Sequence, residues 1–352
     1  MKHPHPHPHP HPHPHPHPHP HPHPHPIPTR RGLLAGAAAL VAAATWPLRG
    51  LCAAPEGAFE AMDLDWTDTA RKREVPVRLY LPQASAPTRE TRAPAPVVVF
   101  SHGIGGSRRG YRYLGEHFAA NGVASLHLQH VGSDRQVWTG GSVFQMISRL
   151  QDAAQDREAI ARALDLRFAL DTLLTSDIAP RLDARRIVAA GHSYGANTAL
   201  LAAGARVERD GRIVNLRDPR VVAAIIISAP PFYGDGDPRR ILAGVQVPSL
   251  HVTATADVIT IPGYYSGADD RVAIFDATAS AAKWLAVFEG GSHSMFTDRA
   301  GTGGVALNPQ VKTATKELSL AFLNKVFDGE GAALEDWPRR HAPIVARFSA
   351  AG

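Results

Sequence analysis

The chain after residue 58 alternates short apolar runs with amphipathic stretches. Two early runs alternate apolar and polar positions, as hairpin strands do, and the later runs are continuously apolar, as in strands buried on both faces of a parallel sheet. The hairpin strands are predicted at 59–66 and 75–81, and the buried strands at 97–100, 123–128, 187–190, 221–227, 249–254 and 284–288. This pattern predicts a mostly parallel sheet of eight strands.

Amphipathic segments between the strands predict helices. Ser107 is a suitable N-cap for a helix that reaches about residue 121, where Gly122 ends it. Residues 151–174 predict one long helix, whose charged face is expected to lie in solvent. Its apolar stripe consists of Ile160, Leu164, Phe168 and Leu173. The repetition of strand, crossover and helix predicts an α/β architecture, doubly wound, with helices on both faces of the sheet.

The sequence Gly-His-Ser-Tyr-Gly at 191–195 lies between a predicted strand and the helix-favouring segment 196–203. Small residues on both sides of Ser193 suit a sharp strand-to-helix turn, in which the backbone passes close to itself and the serine is held in a strained conformation. Such a turn exposes the hydroxyl at the sheet edge. We therefore predict Ser193 to be a nucleophile.

A glycine-rich turn follows the first buried strand, with the sequence Ser-His-Gly-Ile-Gly-Gly-Ser at 101–107. It lacks the lysine and the spacing of a Walker phosphate-binding loop. With a nucleophile turn downstream, the loop is better explained as one side of an oxyanion hole. The backbone N–H groups of Ile104 and Tyr194 are the predicted donors.

A base and an orienting acid are expected at the ends of later strands. Asp257 follows the strand at 249–254, and His293 follows the strand at 284–288. With Ser193, these residues form the predicted catalytic triad, in which His293 is the base and Asp257 orients it. Alternatives remain open at this level for both partners. The alternative acids are Asp269, Asp270 and Asp276, and the alternative bases are His102, His192 and His251.

Two other features of the sequence bear on function. His127 and His130 resemble a metal-binding pair, but no third ligand lies at suitable spacing, so structural roles are favoured and no metal site is predicted. Residues 135–150, which include Trp138, Phe144 and Met146, are candidates for a lid or for the wall of a substrate pocket.

Charge and cysteine content narrow the functional classes. The formal charge is +5, but four of the 37 basic side chains lie in the first 54 residues, which contain no acid. The remaining 33 basic and 32 acidic side chains leave +1, which does not favour a nucleic-acid surface. The single cysteine, Cys52, also lies in this segment, so the rest of the chain has neither a disulfide nor a thiolate nucleophile.

The first 54 residues predict a leader. Residues 1–26 contain an uninterrupted His-Pro repeat, expected to be disordered, with metal binding as an alternative role. Arg30 and Arg31 precede a short apolar stretch, and together 27–54 resemble a twin-arginine export signal cleaved near residue 53 or 54. A lipoprotein modified at Cys52 is the weaker alternative. We expect an exported protein, periplasmic or secreted, with no stable membrane span after cleavage.

The oxyanion loop, the Ser193 turn, Asp257 and His293 resemble the α/β-hydrolase superfamily over about residues 59–327. The sequence His-Val-Gly-Ser at 130–133 further resembles the serine-bearing branch related to dienelactone hydrolases and platelet-activating-factor acetylhydrolases. Two departures weaken this finer resemblance. Dienelactone hydrolases proper use a cysteine nucleophile, and Ala196 stands where many relatives have glycine. The superfamily resemblance implies an α/β-hydrolase domain over 55–352.

These observations predict a serine hydrolase that cleaves carboxylic esters of small molecules through an acyl-enzyme intermediate, without a cofactor. An amidase or peptidase with the same triad is the nearest alternative. A non-catalytic extracytoplasmic binding protein on a hydrolase scaffold is the second, because a fold does not dictate a function.

Overall fold

The computed structural model describes residues 58–83, 93–232, 236–261, 264–299 and 304–351. All of them belong to one unit that spans Ala53–Gly352. The predicted His-Pro repeat at 1–26 and export signal at 27–54 lie outside the described residues, so both stay predictions. No helix in the described ranges combines the length and the apolar character needed to cross a membrane.

All eight predicted strands are present, and they are named here with the additional strands in chain order. The strands are β1 (Phe59–Asp68), β2 (Arg73–Pro82), β3 (Ala95–Ser101), β4 (Ala124–Leu128), β5 (Leu182–His192), β6 (Arg206–Arg209), β7 (Arg212–Asn215), β8 (Val221–Ile227), β9 (Ser249–Ala254), β10 (Ile259–Ile261), β11 (Tyr264–Ser266), β12 (Lys283–Phe288) and β13 (Val345–Ala351). The helices are α1 (Arg112–Ala120), α2 (Val143–Ala153), α3 (Asp156–Leu174), α4 (Tyr194–Ala203), α5 (Pro238–Leu242), α6 (Ala268–Ala277), α7 (Leu307–Asp328) and α8 (Ala332–Arg340).

The described part of the main sheet has nine strands in the order β1-β2-β4-β3-β5-β8-β9-β12-β13. The six from β4 to β12 are parallel, while β1, β2 and β13 pair antiparallel with their neighbours. The predicted number of eight is therefore one too low. The missed strand, β13, is a half-exposed edge strand with weak apolar alternation, which joins the core through Phe348.

Helices cover both faces of the sheet, as predicted. Alternate residues of β3 enter opposite cores: Val97 and Val99 pack on the side of α3 and α4, and Val98 and Phe100 on the side of α1 and α7. This double burial explains why the central strands are continuously apolar.

Two helix predictions were wrong in detail. Helix α1 begins at Arg112 and is not capped by Ser107, because Tyr111 has a left-handed backbone with φ of 57° and cannot lie within the helix. The single helix predicted at 151–174 is instead α2 followed by α3, since the extended backbone of Gln155 separates them.

The charged face predicted for this helix is solvent-exposed only towards the two ends of α3. Glu158, Arg162 and Asp165 of α3 are buried, whereas Ile160 and Phe168 of the predicted apolar stripe are only half-buried. The buried charges are balanced by hydrogen bonds and ion pairs to β2 and to the loops after β3 and β4. Hydrophobic spacing alone therefore predicted the ends of this face correctly and its buried middle wrongly.

Candidate active site

Ser193 occupies the turn between β5 and α4, and this turn has the geometry predicted from its glycines. The serine has a φ of 57° and a ψ of −125°, a strained conformation for a residue with a side chain. A Cβ at Gly195 would lie 1.9 Å from the carbonyl oxygen of Ser101, and one at Gly191 would lie 2.1 Å from that of Gly195. Only glycine fits at these two positions.

The side chains of Asp257 and His293 meet at the carboxyl end of the sheet. Asp257 lies just after β9 and is completely buried, and His293 begins a short 3₁₀ turn after β12. His293 Nδ1 lies 2.7 Å from Asp257 Oδ1. The hydroxyls of Ser228 and Thr253 donate to the other carboxylate oxygen, Oδ2, with a distance of 2.8 Å for Thr253. The carboxylate is thus fixed from both sides.

The Asp257 carboxylate is kept charged despite its burial. Burial alone would raise its pKa, but the hydrogen bond and charge of His293, the charge of Arg271 and the Ser228 hydroxyl outweigh this effect. The pKa of Asp257 therefore lies well below its ordinary value. Arg271 is itself buried, and its Nη2 lies 3.6 Å from Asp257 Oδ1.

The loop after β3 approaches Ser193 closely. A Cβ at Gly103 would lie 3.1 Å from the Ser193 Cβ, and the N–H of Gly105 donates to the carbonyl of Ser133 at 2.8 Å. Within the described ranges, the N–H groups of Ile104 and Tyr194 have no hydrogen-bond acceptor. Unpaired amides beside a nucleophile are what an oxyanion hole requires.

Most of the chain matches one known protein family. Residues 98–349 match the family described as "Alpha/beta hydrolase family". The chain belongs to this family. The superfamily predicted from the sequence is thereby confirmed, and so is the fold class.

Curated protein sequences contain no match to this hydrolase. Among solved structures, it is similar to a ferulic acid esterase from Streptomyces cinnamoneus, with a TM-score of 0.57 and 23% sequence identity. The similarity covers 84% of this chain and 98% of the esterase chain. At this level of identity, the similarity shows a shared fold.

Ser193 and His293 of the hydrolase face two cavities. The larger, of about 730 Å³, is also lined by Ile104 and Tyr194, and its other walls are mainly apolar. These walls include Trp138, Leu150, Pro230, Pro231, Phe232, Val258 and Tyr264. The smaller cavity, of about 360 Å³, includes Arg135 and Asp298 in its lining. The segment predicted as a lid or pocket wall supplies Trp138 and Leu150.

The alternative bases have other hydrogen bonds. The His102 ring donates from Nδ1 to the Gly103 carbonyl at 2.7 Å. His192 accepts from the Tyr111 hydroxyl at 2.8 Å and donates to the backbone carbonyl of His293 at 3.0 Å. His251 lies inside β9 beside Ser249, and burial lowers its pKa to about 3.

The alternative acids are equally separate from the histidines. Asp270 accepts from the backbone N–H of Gly267 at the start of α6. Among the described residues, neither Asp269 nor Asp276 contacts a histidine. Of the four candidate acids, only Asp257 therefore meets a candidate base.

The two histidines weighed as a metal-binding pair form hydrogen bonds within the fold through their ring nitrogens. His127 is bonded to the Gly110 carbonyl and the Ser125 hydroxyl, each at 3.1 Å, and His130 lies 3.0 Å from both Asp165 and Ser101. The described ranges contain no group of three or more side chains arranged to hold a metal ion.

Sequence reasoning missed several residues that support the site. Ser228 and Thr253 lie at the ends of β8 and β9, at the same edge as Asp257, and this position was the available signal. Arg271 had no comparable signal. It lies on α6 and not at the end of a strand, and only the fold brings its side chain to the Asp257 carboxylate. Arg162 is the fourth missed residue and is considered below.

Proposed function

We propose that this hydrolase cleaves carboxylic esters through an acyl-enzyme intermediate on Ser193. The observation that carries the proposal is the hydrogen bond between Asp257 and His293, with His293 lining the same cavity as Ser193. A serine in a strained turn, a histidine and a buried carboxylate provide a nucleophile, a base and the group that orients the base.

In the proposed reaction, Ser193 Oγ attacks the ester carbonyl while His293 Nε2 takes its proton. Asp257 holds the proton on Nδ1 and stabilises the imidazolium that forms. The negative charge on the former carbonyl oxygen is held by the N–H groups of Ile104 and Tyr194. His293 then returns its proton to the departing alcohol, and a water molecule, activated by the same histidine, hydrolyses the acyl-enzyme.

The two cavities suggest how an ester is oriented. The larger cavity, with aromatic and proline side chains in its walls, suits an acyl group, and the smaller cavity beside Arg135 and Asp298 suits the alcohol. The reacting serine and histidine line both cavities, so the scissile bond lies between them. A volume of about 730 Å³ accommodates an acyl group of substantial size.

Ester cleavage is favoured over amide cleavage as the activity to test first. The similar solved structure is that of an esterase, which supports this choice. The segment at 130–133 also supports the finer proposal that the chain belongs near the dienelactone hydrolase and platelet-activating-factor acetylhydrolase branch.

Matched ester and amide substrates with the same acyl group test the proposal. We expect the wild-type enzyme to hydrolyse the ester and Ser193→Ala to lose this activity by at least about 10⁴-fold. Ser148→Ala, at an exposed position of α2 that lines neither cavity, is the control and is expected to keep the activity. Faster cleavage of the amide would indicate an amidase, and cleavage of neither by folded enzyme would indicate a binding protein.

Export is a separate proposal, which rests on Arg30 and Arg31 ahead of the apolar stretch. Replacement of both arginines by lysine is expected to leave the protein inside the cytoplasm, as followed by fractionation of an expressing bacterium that has a twin-arginine export system. Unchanged export of the double variant would contradict a twin-arginine route.

A further inference from the structure

A buried guanidinium lies beneath the two backbone segments that carry the oxyanion donors. Arg162 of α3 has no exposed surface. Its Nη2 donates to the backbone carbonyl of His102, its Nε to Thr198 Oγ1 at 3.0 Å, and its Nη1 to Ser133 Oγ at 2.8 Å. One side chain therefore joins the loops after β3 and β4 to helix α4.

Each of these three hydrogen bonds is made close to Ile104 or Tyr194, or to a residue that hydrogen-bonds to their backbone segments. The His102 carbonyl is two residues before Ile104 in the loop after β3. Thr198 Oγ1 donates in turn to the carbonyl of Tyr194 at 3.1 Å, and the guanidinium lies 4.6 Å from the centre of the Tyr194 ring. The contacts thus reach both sides of the oxyanion hole.

The third contact supports the same loop from the opposite side. Ser133 accepts from Arg162, and its backbone carbonyl accepts the N–H of Gly105, the residue after Ile104. Ser133 Oγ also donates to Glu158 at 2.8 Å. The loop that carries the Ile104 amide is therefore fixed on both sides of that amide.

The guanidinium is expensive to bury, and the fold compensates its charge. Burial lowers the pKa of Arg162 to about 10, so the side chain remains cationic at neutral pH. The carboxylates of Glu158 and Asp165 lie nearby on the same helix, and Arg73 pairs with both at 3.1 Å and 2.8 Å. A lysine at position 162 could not replace the arginine, because its ammonium group lacks the planar guanidinium geometry that reaches three acceptors in fixed directions.

We propose that Arg162 is a positioning residue that sets the oxyanion hole by fixing the backbone on both sides of Ile104 and at Tyr194. The proposal rests on the proposed function and adds a residue that does not touch the substrate. Its effect is expected on the turnover step, where the carbonyl oxygen becomes charged, and not on substrate binding.

The alternative is that Arg162 only stabilises the fold, and Arg73 provides the matched control. Arg73 belongs to the same buried charge network, through Glu158 and Asp165, but has no hydrogen bond to either oxyanion segment. Arg73→Met and Arg162→Met each remove one cation from the network. Only Arg162→Met also removes the contacts to His102, Ser133 and Thr198.

The test measures kcat and KM for one ester with wild type, Arg162→Met, Arg162→Lys, Thr198→Val and Arg73→Met, with urea unfolding of each. Loss of an oxyanion donor typically costs about 10² to 10³ in kcat. We expect Arg162→Met and Arg162→Lys to lose about 30-fold or more in kcat, with KM within about threefold and an unchanged pH midpoint for kcat/KM. Arg73→Met is expected to stay within about fivefold of the wild-type kcat despite its lower stability.

Three results would overturn the proposal: equal losses of kcat in Arg73→Met and Arg162→Met, a wild-type kcat in folded Arg162→Lys, or a loss confined to KM. If Arg162→Met does not fold, Thr198→Val decides, because it removes the Nε acceptor with little change in shape. We then expect a threefold to tenfold loss of kcat, because the hydrogen bond from Arg162 Nε and that to the Tyr194 carbonyl are both lost. Absence of ester cleavage by the wild type would refute the proposed function instead, which separates the two failures.

Discussion

His293 Nδ1 lies 2.7 Å from Asp257 Oδ1, while the second oxygen of the same carboxylate accepts the hydroxyls of Ser228 and Thr253. A carboxylate oxygen only accepts, so the proton must be on Nδ1 and the lone pair on Nε2. Nε2 is the nitrogen that a base needs for the serine hydroxyl. The tautomer of the base is therefore set by residues at the carboxyl ends of β8 and β9.

Asp257→Asn is predicted to lower kcat by about 10⁴-fold. The carboxamide can donate its N–H to Nδ1, which would favour the tautomer with the proton on Nε2. Steady-state ester hydrolysis measures the effect. Asp276→Asn, at an exposed position on α6, is the control and is expected to retain full activity. A loss of less than tenfold in Asp257→Asn would contradict the assigned role.

Gly195→Ala is predicted to destabilise the fold by about 3 kcal/mol or more and to abolish activity. The added methyl would lie 1.9 Å from the carbonyl oxygen of Ser101, where the end of β3 packs against the serine turn. Urea unfolding and the ester assay measure both effects. Gly236→Ala, where a Cβ would meet nothing within 4 Å, is expected to behave as wild type. Wild-type stability in Gly195→Ala would show that the turn is looser than described.

The sequence predicts those parts of the fold and site that depend on local patterns, and it does not predict contacts between residues distant in the chain. The continuously apolar strands and the strand-end positions of Ser193, Asp257 and His293 are local features, and the structure brings Asp257 and His293 together as expected. The buried face of α3 was missed because its charges are balanced by Arg73 and by loops distant in the sequence. Hydrophobic spacing contains no information about such partners.

The missed edge strand has a different cause. Strand β13 has few strongly apolar positions, and its backbone pairs with β12 near the end of the chain. Its place in the sheet follows from the anchoring of Phe348 beside Trp337 under α8. Three of its seven residues are alanine and one is serine, which give little apolar contrast between its two faces, so its sequence pattern is weak.

Acid is predicted to destabilise the fold through its buried histidines. The pKa of His251 is lowered to about 3 by burial, and those of His127 and His130 to about 4 and about 3. Below pH 6.5 the unfolded chain gains protons at these residues while the folded chain does not. The free energy of unfolding therefore decreases as the pH is lowered. Each such histidine contributes a slope of up to about 1.4 kcal/mol per pH unit.

His251→Gln isolates this effect at a site remote from catalysis. Between pH 6 and pH 5, the slope of its unfolding free energy is predicted to be about 1 kcal/mol per pH unit smaller than that of the wild type. Urea unfolding at both pH values provides the measurement. Ser249→Ala removes the hydrogen bond of His251 but no titrating group, so its slope should be unchanged. Equal slopes in His251→Gln and wild type would show that this histidine titrates normally in the folded state.

The most direct test of the account is the intact mass of the protein after reaction with a fluorophosphonate. Such a probe reports a serine activated by its base, and it needs no knowledge of the substrate. We predict a single adduct on the wild type, none on Ser193→Ala, and a much slower reaction of Asp257→Asn. An adduct on Ser193→Ala, or no adduct on folded wild type, would contradict the assignment of Ser193 as the nucleophile.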